Sequence, residues 1–439
     1  MTTKSPDLSV EDSTFSGWKK RVSVFLVGQT ITTLGSALVQ YAIMWHLTLT
    51  TKSGLILALA AVFGFLPQAI VSVFAGVWAD RVNRKMMIII SDSAIALATL
   101  GLAFLMLSGV NDLWLIFLVM AVRSVGAGVQ MPAISALLPQ IVPTDKLMRV
   151  NGINSSVQSS LTLIAPLAAA AIYANMSLVG ILFIDFVTAV VGLSLLATVA
   201  VPTLARASSA DKPSYFADLK EGISYTFTHE LVRWVMVVFG VVFLLIVAPS
   251  NLSPLMLVRN WGSDVWLLTV LELSFGIGMV IGGGLMALFA NKLDRITTII
   301  ATSVAFGVLA VVMGFSTNLI LFFSLFFFIG VIVPAFSTSA MTLLQETVEP
   351  ERQGRVFGFV GIVMAVAMPI GMAALGPLAD VVSVESILIV TGAATVVIAA
   401  FAALSPSGKR AWAAAHASTG PSESPGPSES TGSAEPTNS

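Results

Sequence analysis

Charged side chains interrupt several long apolar stretches of the sequence, and these residues are the ones that could carry chemistry. They are Asp92, Arg123, Asp185 and Glu272. A charge in hydrocarbon is costly, so each must face protein, water or a partner of opposite charge. A carboxyl group that is withdrawn from water can also bind and release a proton, or hold a cationic ligand. The pattern therefore indicates proton or charge coupling inside a membrane protein.

A second candidate lies in a short polar turn that reads G-x-x-x-D-R-x-x-R-K. Its named positions are Gly76, Asp80, Arg81, Arg84 and Lys85. Because charges this close together cannot enter hydrocarbon, the turn must stay at a membrane surface. The basic residues could serve only to set which side of the membrane the turn occupies. An acid and a glycine at fixed offsets are not needed for that role, which favours a gate that holds two parts of the protein together in one state.

Polar side chains also recur at helical spacing in two apolar stretches. The first stretch carries Gln29, Thr33, Ser36 and Gln40, and the fifth carries Asn151, Ser155, Gln158 and Thr162. Such stripes either line a cavity or bond neighbouring helices together. Aromatic residues could shape the apolar part of the same cavity, or they could face lipid or pack in the core. The predicted substrate cavity contains Gln29, Thr33, Ser36, Gln40, Gln158, Phe239, Phe243 and Phe275.

The composition places these residues in a membrane protein. Of the 439 residues, 56% are hydrophobic and only 10% are charged, whereas soluble domains carry about 25% charged residues. The net charge of −1 argues against a nucleic-acid partner. The chain has no cysteine, and its three histidines are far apart in sequence without metal-ligand spacing. We therefore expect an all-α integral membrane protein that is not an enzyme and holds no metal or cofactor.

Twelve apolar stretches are each near the ~20 residues that a membrane-spanning helix needs. Their limits are 21–48, 54–79, 86–108, 113–138, 149–174, 177–201, 231–258, 265–290, 296–316, 318–344, 354–379 and 384–404. With the loops assigned alternately, every Lys and Arg except Lys52, Arg123 and Arg259 falls on the side of the two termini. The positive-inside rule then predicts that both termini are cytoplasmic.

The chain also divides into two similar halves. The segment G-V-Q-M-P-A-I-S at Gly128–Ser135 matches G-V-I-V-P-A-F-S at Gly330–Ser337, so the fourth stretch corresponds to the tenth. Duplicated six-helix halves are typical of transporters whose site lies between the halves. The predicted organisation is a polar tail at 1–17, a six-helix bundle at 18–201, a cytoplasmic linker at 202–230 with a surface helix over Phe216–Phe227, a second six-helix bundle at 231–404 and a disordered tail at 405–439.

The loop motif and the repeat together resemble the major facilitator superfamily over about residues 18–404. Within it the chain resembles the macrolide-efflux branch of bacterial drug:proton antiporters, at Gly64–Pro67, Arg123–Gly126, Thr269–Gly278, Gly354–Phe357 and Met368–Gly371. The resemblance implies export of amphipathic compounds driven by the proton gradient, without a cofactor. It also associates Arg123 with proton coupling and places the helix of Glu272 between the halves. Where such antiporters often carry a Gly-Pro-rich motif, the fifth stretch here reads Ala165-Pro166.

Each intramembrane charge also has a structural interpretation. Arg123 could pair with Asp80 or Asp92, and Glu272 could be locked to Arg259 or to another interface residue. For Asp92, which lies near the basic turn, a structural pair is the favoured interpretation. For Asp185, in the sixth stretch, a coupling role and a structural role both stay open.

Three functions are compatible with these patterns. The first is a secondary exporter in the plasma membrane, which moves amphipathic small molecules through the lipid bilayer by alternating access and acts as a monomer. The second is an uptake transporter for a small solute, and the cavity's poverty in charge favours export over it. The third is a membrane receptor or scaffold, which would be expected to carry a large ordered soluble domain. An ATP-driven pump is disfavoured because the sequence has no phosphate-binding G-x-x-x-x-G-K-[ST] loop.

Overall fold

The computed structural model describes residues 17–201, 215–406 and 408–410. These residues form helices joined by short turns, and 12 helical segments are long and apolar enough to cross a membrane. The predicted polar N-terminal tail, most of the C-terminal tail and the first part of the linker lie outside the described residues. The expectation of disorder in the tails therefore stays a prediction.

The helix bounds agree with the predicted stretches to within a few residues at most ends. The first half contains α1 Trp18–Thr51, α2 Gly54–Arg81, α3 Arg84–Leu107, α4 Leu113–Ile141, α5 Leu147–Tyr173 and α6 Leu178–Thr198. The predicted surface helix is α7, Tyr215–Thr228. The second half contains α8 Glu230–Val247, α9 Ser253–Trp261, α10 Val265–Phe289, α11 Arg295–Gly314, α12 Leu319–Thr347, α13 Pro350–Leu378 and α14 Val384–Leu404.

The segment formed by α8 and α9 is broken where the sequence carries two prolines. At this break Ala248–Leu252 forms a π-helical turn. Pro249 lies within the turn, and Pro254 lies in the first turn of α9. Proline lacks a backbone N–H and its ring clashes with the preceding turn, which favours a local departure from the regular α-helix. The prolines thus mark a break inside a spanning segment rather than its end.

The two halves repeat the same helix pairings. In the first half α2 packs on α4, while α3 packs on α4 and α6; in the second half α10 packs on α12, while α11 packs on α12 and α14. The first and last helices also pair, α1 with α6 and the α8 segment with α14. This repetition confirms the predicted pair of pseudo-symmetric six-helix bundles. We call the end of the bundle where α1 begins and α14 ends the terminus end, and the opposite end the far end.

The halves contact each other through α2 against α13 and α5 against α10. At the far end, a Cβ on Gly376 would lie 2.5 Å from the Ala58 Cβ and 2.6 Å from the Gly54 carbonyl oxygen. Only a glycine permits this approach of α13 to α2. Near the terminus end of the same two helices, Gly76 and Gly358 are exposed and have no atom within 4 Å of a side-chain position. The structure is therefore closed at the far end and open at these terminus-end positions.

Substitution of Gly376 by Val should force α2 and α13 apart at the far end. Overpacking of a close contact costs about 1–3 kcal/mol, so we expect a lower melting temperature of the detergent-solubilised protein. The matched control is Gly358→Val on the same helix, which meets open space and should melt with the wild type. Equal melting temperatures of the two variants would show that the far-end contact is not tight.

Candidate functional site

A groove of about 590 Å³ runs along the first half between α1 and α5. Thr30 forms the α1 wall. The α5 wall is one face of that helix, made of Arg149, Gly152, Ile153, Ser156, Val157, Ser160, Leu161 and Ile164. With a rise of 1.5 Å per residue, this face extends about 22 Å from the terminus end towards the middle of the bundle.

The groove faces the second half. Tyr41 lies about three helical turns beyond Thr30, so it shares that face of α1, and it is within electrostatic reach of Glu272 on α10. On α5, Leu163 contacts the second half, because a Cβ on Gly276 would lie 2.7 Å from its Cδ2. Gly276 is one turn from Glu272. The half-buried Glu272 therefore lies beyond the inner end of the groove, where the halves touch.

The groove wall carries little charge. The hydroxyls of Thr30, Ser156 and Ser160 each donate to a carbonyl oxygen one turn earlier in their own helix, at 2.7–2.9 Å. Their donors are thus satisfied, and what remains is an aliphatic surface with hydroxyl oxygens as acceptors. Arg149 near the mouth and Glu272 beyond the inner end supply opposite charges. Such a surface suits a mostly apolar molecule with few polar groups.

The predicted polar stripes lie beside this groove rather than in it. Gln158 is exposed on α5, but the groove uses the neighbouring face of that helix. The α1 stripe faces the interior of the first half. Its Gln40 has a buried amide nitrogen near Gly64 of α2, with no hydrogen-bond partner among the described residues, and Thr33 is half-buried. A stripe of small residues at four-residue spacing (Gly152, Ser156, Ser160) is the sequence signal that marks the lining face of α5.

The predicted aromatic lining packs inside the second half. Phe239 is buried and stacks on Phe243 and Phe336, with ring centroids 5.8 and 5.5 Å apart. Phe275 packs on Phe326 at 5.4 Å. All five rings belong to α8, α10 and α12. The alternative interpretation, that these aromatic residues form core, fits their contacts.

Arg123 on α4 is buried and bonded to three other helices of its own half. Its Nη1 donates to Asp185 Oδ2 on α6 at 2.5 Å and to the Thr99 hydroxyl on α3 at 2.7 Å. Its Nη2 donates to the Ser36 carbonyl oxygen on α1 at 2.9 Å, and the Ser36 hydroxyl lies 3.4 Å from Asp185 Oδ1. We call these four residues the Arg123 network.

The sequence-based pairing of Arg123 with Asp80 or Asp92 is wrong, because its partner is Asp185. Gly35 on α1 permits the close approach of α6, because a Cβ at Gly35 would collide with the Thr188 hydroxyl and lie 3.2 Å from Asp185 Oδ1. The absence of a side chain there leaves space for the acid. The carboxylate and the guanidinium are 1% and 7% exposed at the residue level, so the pair is desolvated.

Asp92 on α3 bonds an amide instead of the basic turn, so the favoured structural pair with that turn is not formed. Gln130 Nε2 on α4 donates to Asp92 Oδ1 at 2.6 Å and lies 3.5 Å from Gln29 Oε1 on α1. Asp92 is buried, and its Oδ2 has no hydrogen-bond partner among the described residues. We call Asp92, Gln130 and Gln29 the Asp92 network.

The basic residues of the loop motif bond within the first half. Arg84 Nη1 donates to the Ala136 carbonyl oxygen near the end of α4 at 3.0 Å. Lys85 Nζ donates to two carbonyl oxygens at the end of α6, both at 2.8 Å. Cations at helix C-termini are favourable because the unpaired carbonyl groups carry negative partial charge.

The other three motif residues lie at the end of α2. Gly76 is exposed on α2. Asp80 and Arg81 end that helix, but their side chains lie outside the described part of the structure. The gating role of the motif therefore stays a prediction.

The far end is closed by a cluster that we call the far-end latch, made of Ser53, Gly54, Leu55, Arg259 and Asp380. The Asp380 carboxylate accepts from the Gly54 and Leu55 N–H groups at 2.7 and 2.9 Å and from the Ser53 hydroxyl at 2.7 Å. These groups begin α2, where backbone N–H groups have no partner in the helix. Arg259 Nη2 donates to Asp380 Oδ1 at 2.8 Å and to the Lys52 carbonyl oxygen at 2.7 Å. The latch joins the two halves.

Sequence reasoning missed Asp380 and considered Arg259 only as a partner for Glu272. Ser53 before an apolar helix is a recognisable N-cap, and a helix N-terminus attracts an anion. Which acid of the other half reaches it depends on how the halves dock.

The latch holds the pKa of Asp380 below its ordinary value. Burial alone would raise this pKa, but the hydrogen bonds from Leu55, Ser53, Gly54 and Arg259 outweigh it. A carboxylate with a lowered pKa stabilises the folded protein above the ordinary pKa, and this contribution is lost as the pH falls through the lowered value.

Comparison with known sequences gives three findings. The family model described as Major Facilitator Superfamily matches residues 22–289 and 262–429. Macrolide efflux protein A of Streptococcus pyogenes is 30% identical over 388 residues, which cover 88% of this chain and 96% of that protein. Macrolide efflux protein A of Enterococcus faecalis is 30% identical over 323 residues, which cover 73% of this chain and 99% of that protein.

A solved structure shares the fold. It is a bacterial homologue of the human lysosomal transporter Spinster in an inward-facing and unoccupied conformation. It matches with a TM-score of 0.64 and 13% identity, over 91% of this chain and 97% of that chain.

Replacing Asp185 by Asn should leave Arg123 as a buried charge without its counter-ion. We expect a loss of about 3–5 kcal/mol of stability, measured by denaturant unfolding in detergent. The double variant Arg123→Leu with Asp185→Leu removes both charges and should recover most of that loss, because Leu325 occupies the position that matches Arg123 in the second half. A double variant as unstable as the single one would mean that the two residues do not act as a pair.

Replacing Asp380 by Asn should loosen the far end. Because the chain has no cysteine, Ala58→Cys introduces a single thiol at a buried site beneath the latch. In that background we expect Asp380→Asn to raise the rate of labelling by a membrane-impermeant maleimide severalfold. Glu346→Gln, which breaks an ion pair with Arg295 inside the second half, is the control and should leave the rate unchanged.

The same variant predicts a pH dependence. The difference in melting temperature between wild type and Asp380→Asn should be constant above about pH 4, the ordinary range of an aspartate. It should shrink as the pH falls through the lowered pKa, because the wild-type carboxylate is then protonated. A difference that grows on acidification would contradict this role of the latch.

Proposed function

Because the chain belongs to the Major Facilitator Superfamily, we propose that it exports amphipathic small molecules by alternating access, driven by the proton gradient. The observation that carries this proposal is the groove between α1 and α5. Its wall is aliphatic with few charges, it reaches the open terminus end, and Glu272 lies beyond its inner end. An amphipathic molecule could enter such a groove without losing many hydrogen bonds to water.

The distribution of basic residues supports the orientation. Lys146, Arg149, Lys292 and Arg295 lie at the terminus end, as does the basic turn before α3. By the positive-inside rule this end, with both termini, lies in the cytoplasm. In the plasma membrane the groove is then open to the cytoplasm, the side from which an exporter loads its substrate.

In the transport cycle the halves rock about the groove as rigid bodies. The far-end latch opens to release substrate outside, and the loop motif closes the terminus end in that state. Both ends involve α2, whose N-terminus bonds Asp380 and whose C-terminal part carries Gly76, Asp80 and Arg81. The protein acts as a monomer, because one chain supplies both halves.

The relatives support a substrate class. Two proteins that are 30% identical to this chain are named macrolide efflux proteins. Macrolide-like compounds, and other amphipathic drugs of similar size, are therefore the substrates that we propose. Glu272 binds either the coupling proton or a cationic group of the substrate.

The experiment measures direction and driving force together. A drug-sensitive bacterial host expresses the protein and is tested against a panel of macrolides, other antibiotics and dyes, with and without a protonophore. Everted membrane vesicles then show whether the compounds against which the protein protects accumulate inside the vesicles, as export predicts. Protection that survives the protonophore would exclude proton coupling, and vesicle flux in the opposite direction would favour uptake.

Replacing Glu272 by Gln separates its two proposed roles. If the carboxyl carries the proton, the variant should lose uphill transport of neutral and cationic substrates alike, while substrate exchange without a gradient persists. If it binds a cationic group, only the cationic substrates should be lost. Glu346→Gln, an acid-to-amide change outside the groove, is the matched control. Unchanged, still proton-driven transport of both substrate types would remove Glu272 from the mechanism.

A further inference from the structure

The two buried networks of the first half form two layers of one arrangement. Three helices each contribute a polar residue to both layers, always seven residues apart: Gln29 and Ser36 on α1, Asp92 and Thr99 on α3, and Gln130 and Arg123 on α4. Seven residues are about two helical turns, or about 10 Å along the helix axis. The Asp92 layer is the one nearer the terminus end.

The layers differ in charge. In the deeper layer the guanidinium of Arg123 is matched by the Asp185 carboxylate. In the other layer the carboxyl of Asp92 meets only neutral amides. An ionised carboxylate with one hydrogen bond and no counter-ion in a buried site costs several kcal/mol, whereas the protonated acid does not carry that cost. The arrangement therefore holds one more carboxyl than its single cation can neutralise.

No other cation is placed to neutralise Asp92 in the described part of the helices packed on α3. The other buried charges on α3, α4 and α6 are Arg123 and Asp185, which bond each other. Arg84 and Lys85 lie at the terminus end, eight and seven residues before Asp92 on α3, which is about 10–12 Å along the helix axis, and both bond backbone carbonyl oxygens. The facing residue on α1, Gln29, is neutral.

The second half shows that packing does not require these charges. Arg123 and Gln130 correspond to Leu325 and Ile332 through the internal repeat. Asp92 corresponds to Ser303, because each is eight residues after the arginine that begins α3 or α11. Ser303 is buried and donates to the Ile299 carbonyl oxygen of its own helix. A six-helix half thus folds with neutral residues at these places.

We propose that Asp92 is a proton-binding residue of the transport cycle, which is loaded and emptied from the terminus end. On release the carboxyl O–H bond breaks, its electron pair stays on the Asp92 oxygen, and the proton passes to water; uptake reverses these steps. Gln130 connects Asp92 to Gln29, which precedes Thr30 in the groove wall. The charge at Asp92 thereby acts on the helix that forms one wall of the groove. The inference rests on the proposed proton-driven function.

The test uses the purified full chain in proteoliposomes with an enclosed pH-indicator dye. With erythromycin as the probe substrate, Asp92→Asn should abolish substrate-driven proton movement, while erythromycin exchange without a gradient stays within about twofold of wild type, a change below about 0.5 kcal/mol. The matched control is Asp112→Asn, an exposed acid at the far end, which should keep both activities. Proton movement at the wild-type ratio in Asp92→Asn overturns the proposal.

Infrared difference spectra between acidic and alkaline pH supply a readout that does not depend on transport. The wild type should show a carbonyl stretch of protonated Asp92, beside any component from Glu272, and this Asp92 component should disappear in Asp92→Asn and persist in Asp112→Asn. Gln130→Leu keeps the acid but removes its hydrogen bond, so the band should move to higher frequency. A band unchanged in both the Asp92 and Gln130 variants overturns the proposal. If erythromycin is not transported by the wild type, the proposed substrate fails, and this band still decides whether Asp92 binds a proton.

Discussion

The structure depends on the cost of leaving a charge or a backbone N–H group unpaired where helices meet. Arg123 is tolerated in the middle of a spanning helix because three other helices supply Asp185, Thr99 and a carbonyl oxygen to it. The first N–H groups of α2 are met by Asp380 from the other half. In both places a polar group sets which helices must lie together.

This constraint acts differently in the two halves. The first half has Arg123, Gln130 and Asp92 where the second half has leucine, isoleucine and serine. Both halves nevertheless show the same helix pairings. The bundle architecture therefore comes from the apolar pattern, and the charges are an addition to one half.

One helix, α2, reaches both ends of the bundle. The N-terminus of α2 takes part in the far-end latch, and its C-terminal part carries the first residues of the loop motif. Close contact with α13 at Gly54 and Gly376 supports the latch, while Gly76 near the other end is exposed. Because a helix is stiff along its axis, a rotation that opens one end brings the other end closer to the second half.

The sequence by itself determined the class of the protein, the twelve spans, the internal repeat and the presence of a few intramembrane charges. These features follow from local hydrophobicity and from residue spacing, which act within one segment. Tertiary structure alone decided the partners: Asp185 for Arg123, Gln130 for Asp92, Asp380 for Arg259, and the face of α5 that lines the groove. A partner is chosen by the rotation and docking of whole helices, and close glycine contacts such as Gly35 and Gly376 control that docking. Several rotations bury equal apolar area in a helix that is hydrophobic all round, so its sequence does not specify which one occurs.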